Sequence, residues 1–77
     1  MSSKIRADLQ EFMSRGITFS ILELKGILRG KGYKNIKLSG LKTRKGYLLT
    51  VEEDECFFDL IIEGEDKFLI KNIQKAF

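Results

Sequence analysis

Eight cations stand between residues 25 and 45, namely Lys25, Arg29, Lys31, Lys34, Lys37, Lys42, Arg44 and Lys45, with Tyr33 and Tyr47 interleaved. Lys and Arg at this density meet phosphate oxygens, and tyrosines beside them can stack on unpaired bases, so the grouping suits a nucleic-acid backbone. The plainer account is a set of solubilising side chains balanced by acids elsewhere. Those acids exist. Glu52, Glu53, Asp54 and Glu55 are consecutive, and Asp59, Glu63, Glu65 and Asp66 follow. Residues 1–47 hold eleven basic side chains against three acids, a balance of +8. Residues 48–77 hold three against eight, a balance of −5, which together give the net +3 of the whole chain. Such asymmetry informs about partners rather than fold. The acidic run offers a second chemistry: it could face a basic protein surface or imitate a phosphate backbone.

Catalytic chemistry finds little to work with. There is no His, and the single Cys56 has no evident base to activate it. One Cys and no His exclude an internal disulfide and the usual structural zinc sites. Gly30-Lys31-Gly32-Tyr33 lacks both the spacing and the preceding strand of a phosphate-cradling loop. The expectation is a non-enzymatic chain with no cofactor and no metal. Cys56 falls on an apolar strand face, where a thiol behaves as a small buried hydrophobe.

Seventy-seven residues make one small domain, residues 1–77, which buries only about 60% of its unfolded surface, so oligomerisation is a natural aid to stability. A composition 43% apolar and 32% charged belongs to a folded rather than a disordered chain. No apolar run is long enough to span a bilayer, and Met-Ser-Ser-Lys-Ile-Arg is not followed by a signal-peptide core. A reducing, cytoplasmic setting fits.

The elements that must position these residues centre on Tyr47 to Ile62. Tyr47, Leu49 and Val51 alternate with Leu48, Thr50 and Glu52, the pattern of a strand with one side buried. Cys56, Phe58, Leu60 and Ile62 form the apolar face of a second strand. The joint Glu52–Glu55 has neither Gly nor Pro, which predicts a four-residue loop rather than a tight turn.

Ahead of this hairpin, Ser2 or Ser3 caps a helix to about Ser14, with Ile5, Leu9, Phe12 and Met13 in one stripe and Gly16 as its stop. Ile17-Thr18-Phe19 is a connector. Ser20 and Glu23 then make a capping box, and Phe19 with Leu24 a hydrophobic staple. The second helix buries Ile21, Leu24, Ile27 and Leu28, exposes Lys25 and Arg29, and ends at Gly30 and Gly32. Asn35 to Ser39 alternates as a strand, with a bulge expected at Gly40 and a basic turn over Lys42–Lys45. Phe68 and Ile70 fit a last strand to about Asn72 followed by a frayed end or a helical turn, while Leu69, Ile70, Ile73 and Phe77 fit a helix about equally well.

Reading Lys34 to Arg44 instead as a third helix would give a winged helix. Its wing would aim the acids Glu52–Glu55 at the phosphate backbone, the wrong sign. Gly40 and the β-like alternation also favour the strand. The expected architecture is α+β, two N-terminal helices packed on a three- to four-stranded antiparallel β-meander. The expected function is a small regulatory binding module that contacts nucleic acid through the end of the second helix and the Lys42–Lys45 turn. The alternative is a protein-interaction adaptor or inhibitor docking through Glu52–Glu55 or an apolar strand edge, with self-association as one form of it.

Overall fold

The structure, a computed structural model, describes residues 4–40 and 46–76. Among them the order is α1 (Lys4–Arg15), β1 (Thr18–Phe19), α2 (Ile21–Gly30), β2 (Lys34–Gly40), β3 (Gly46–Glu53), β4 (Cys56–Gly64) and β5 (Phe68–Lys75). All five strands form one antiparallel sheet in the order β1-β5-β4-β3-β2. The α+β class and the meander of β2 to β5 are as expected. The helices, however, are not a block ahead of the sheet. Thr18 and Phe19 lie between them and pair with Leu69 and Phe68, so the sheet has five strands rather than three or four. The segment is two residues long, too short for any periodicity to mark it as a strand.

Both helices end in the same way. Gly16 and Gly32 take left-handed φ values of 66° and 97°. Past α1, Gly16 N–H donates to Met13 O and Ile17 N–H to Phe12 O. Past α2, Gly32 N–H donates to Arg29 O and Tyr33 N–H to Leu28 O. This is the Schellman motif, in which the residue after the glycine turns back onto the last helical turn. It sends Ile17 and Tyr33 toward the core. At the other end of α2 the capping box forms: Ser20 N–H donates to Glu23 Oε1 at 2.8 Å, and Glu23 N–H to Ser20 Oγ at 3.1 Å. Lys67 Nζ joins Glu23 Oε1 at 2.9 Å and ties the helix start to the β4–β5 turn.

The core is one-sided. Leu49, Val51, Phe58, Leu60, Ile62, Phe68, Ile70 and Ile73 of the sheet are buried with Ile5, Leu9, Leu24 and Leu28 of the helices. Alternation places Leu48, Thr50, Phe57, Asp59, Ile61 and Leu69 on the opposite face, which no described helix covers. There Leu48 stands across from Ile61, and Thr50 Oγ1 donates to Asp59 Oδ1 at 2.8 Å. The third-helix reading of Lys34–Arg44 fails because Lys34–Gly40 pairs with β3.

Three finer expectations are corrected. The β3–β4 joint is a two-residue turn, with Glu53 paired to Cys56 and with Asp54 and Glu55 at φ values of 53° and 63°. Two long apolar strands in full register close the turn on residues that would not choose it. The bulge in β2 lies between Lys34 and Lys37, where Asn35 has φ 52°, and not at Gly40. The last strand runs on to Lys75, beyond a register slip at Lys71.

Candidate functional site

The cations set apart in the sequence have unequal fates. Lys42, Arg44 and Lys45 lie outside the described residues. Lys25, expected on the exposed side of the second helix, is half-buried, while Arg29, Lys31, Lys34 and Lys37 are exposed. Arg29 and Lys31 sit where α2 turns tightly into β2, and Lys34 and Lys37 lie along β2. Antiparallel pairing of β2 with β3 then sets Lys34 opposite Glu52. The basic and acidic halves of the chain therefore interleave at this end of the sheet instead of forming two poles. Among the described residues, Arg29 and Lys37 form no ion pair.

Tyr33 is the clearest correction. Only 2% exposed, its ring cannot stack on a base. Its hydroxyl donates to Asp8 Oδ2 at 2.8 Å, and Lys4 Nζ sits 4.3 Å from the ring centroid. Lys4 also bonds Asp8 at 3.0 Å and donates to Lys31 O at 2.9 Å, so α1 is laced to the α2–β2 turn. Burial, and then the hydrogen bond to Asp8, pushes the Tyr33 phenol up to about 12. For Asp8, burial works against the charged carboxylate, but hydrogen bonds from Tyr33 and Lys4 outweigh it and hold the group below the ordinary range. For Lys4 burial likewise opposes the charge and the bonds to Asp8 and Tyr33 prevail, raising it. This cluster is structural, and the signal for it was the Gly32-Tyr33 pair at a helix end. Tyr47, by contrast, stays 37% exposed with its ring edge-to-face on Phe68 at 5.5 Å.

The acidic run is also divided. Glu52 accepts a hydrogen bond from the Asn35 amide, and Glu53 lies 3.8 Å from Lys4 Nζ. Asp54 and Glu55 at the turn are exposed.

The strand edge that sequence reasoning named without placing is found at β2. It is the outermost strand on its side of the sheet, and every residue of it except the half-buried Ile36 is exposed. Leu38, facing the core side by its pairing with Leu49, is still 39% exposed. The other margin is shielded. Where β1 stops covering β5, the Arg6 guanidinium donates to Ile73 O at 2.8 Å. Among the described residues no strand pairs with the outer edge of β2, and such an edge offers a row of backbone donors and acceptors to another chain. Among the described residues no group of three or more His, Cys, Asp or Glu side chains is placed to hold a metal ion, and no helix is long and apolar enough to cross a membrane. The chain matches no known family model, no curated protein and no solved structure.

Proposed function

We propose that this protein is a small non-catalytic binding module of the cytoplasm whose partner is another protein, received as an added strand along β2. The observation that carries this reading is the open edge of Lys34–Gly40, with Leu38 exposed beside it, while the opposite margin is shielded by β1 and Arg6. Strand addition draws its affinity from main-chain hydrogen bonds and its specificity from alternate side chains. Lys34 and Lys37 supply that specificity. An antiparallel second copy centred on the strand would oppose Lys37 to Lys37, a destabilising like-charge pair, whereas a strand bearing Asp or Glu there is favoured. The lone Cys56 is consistent with a reducing compartment.

A tagged chain incubated with nuclease-treated lysate tests the proposal. A defined polypeptide is expected to remain bound, and Leu38→Pro, which cuts the edge ladder, should release it. Loss of every partner after nuclease treatment would overturn the proposal in favour of nucleic acid. That second reading keeps one supporting observation, the exposure of Arg29 and Lys37 without an ion pair among the described residues. It requires oligonucleotide affinity that falls steeply with salt and weakens when both residues become Glu.

A further inference from the structure

Between the start of α1 and the end of the sheet lies a cleft of about 140 Å³. Its floor is apolar, made by Ile5, Phe58 and Ile73, all buried in the core. Arg6 and Lys75 line it as well, with Cys56 and Gln74 completing the wall. Phe58 and Lys75 are cross-strand partners, so the Lys75 side chain leaves the sheet on the same face as the floor. The formal charges on the lining are thus both positive. Glu53, across from Cys56, does not line the cleft and lies 3.8 Å from Lys4. Arg6 is held in place by its bond to Ile73 O, and one such bond leaves other N–H donors of the guanidinium to point elsewhere.

An apolar recess with a few convergent polar groups is the usual form of a small-molecule site. The volume is close to that of cavities known to take up benzene. We propose that this cleft binds a small organic monocarboxylate whose apolar body, aromatic or short and branched, rests on Ile5, Phe58 and Ile73 while its carboxylate is held between Arg6 and Lys75. Guanidinium and ammonium donors make charge-assisted hydrogen bonds to such a group, and an uncharged ligand of equal size forgoes them. Nothing in this site depends on a partner strand at β2, which lies at the far margin of the sheet.

Cys56 is the only thiol of the chain and lines the cleft, so its alkylation by iodoacetamide reports occupancy. Benzoate is expected to slow alkylation saturably, with an apparent Kd in the millimolar range for so small a ligand. Benzyl alcohol, of the same shape without the charge, should protect about tenfold less well, the worth of one charged hydrogen bond. Lys75→Gln and Arg6→Gln should each weaken protection by benzoate about threefold, half of that difference in free energy, and leave protection by benzyl alcohol unchanged. Circular dichroism checks the fold of each variant, and the exposed Lys75 serves if loss of the Arg6–Ile73 bond loosens α1. Absence of saturable protection by benzoate would overturn the proposal. So would equal protection by the alcohol, or a folded Lys75→Gln variant that benzoate protects as well as it protects the parent chain.

Discussion

The Tyr33 hydroxyl reaches Asp8 across 25 positions of sequence, and Asp8 is shared with Lys4. Removing the hydroxyl leaves Asp8 its Lys4 partner, so Tyr33→Phe should cost only about 1 kcal/mol. Tyr33→Ala also empties the core beneath the helix end and should cost about 3–5 kcal/mol. Urea midpoints separate the two. The same phenol makes stability sensitive to alkali. Its folded pKa of about 12 lies above the ordinary 10.0, so its contribution is full below pH 10 and lost as pH rises through 12. Tyr33→Phe should abolish that part of the loss, read as the unfolding midpoint against pH. The residue was legible in the sequence only as an aromatic among cations. What distinguishes it is the preceding glycine, whose left-handed φ of 97° turns the following side chain inward.

At the scale of elements, the β3–β4 turn is closed by its strands and not by its own residues. Asp54 and Glu55 both hold positive φ, the geometry of the mirror-image type I turn that Asn-Gly favours. An L-residue in this region costs about 1–2 kcal/mol, so Glu55→Gly should stabilise the protein by about 1 kcal/mol. For a domain of this size that is a rise in Tm of about 4–8 °C, measurable by calorimetry. A fall in Tm would show that the turn does not have this conformation. The expectation of a longer loop followed from turn chemistry alone. The register of Tyr47–Val51 against Ile62–Phe58 overrode it, because slipping one strand by a residue would turn its apolar face away from the core. Helix ends were more legible: Ser20, Glu23, Gly16 and Gly32 act through neighbours a few residues away.

For the molecule as a whole, the decisive feature is a sheet with helices on one face only. Leu60 and Ile61 are adjacent on the central strand, yet Leu60 is fully buried and Ile61 only partly so. Leu60→Ala should cost about 3 kcal/mol, a large share of the roughly 4–12 kcal/mol that a chain this long has in total. Ile61→Ala should cost about 1 kcal/mol, because little cavity forms at a half-covered site. Comparable losses in urea denaturation would mean that something covers the second face. The cap expected at Ser2 or Ser3 lies outside the described residues. Sequence alone determined the α+β class, the two helices with the capping box of the second and the glycine stops of both, the alternation of the central hairpin, and the absence of His. These rest on contacts within one or two turns, or on the period of side chains. Only the tertiary structure decided that Thr18 and Phe19 complete the sheet, that Tyr33 is buried and that Lys34 stands against Glu52. It also decided which edge stays open and where Arg6, Lys75 and Cys56 converge. Each of these depends on which strand lies beside which, and pairing is set by packing between segments distant in the chain.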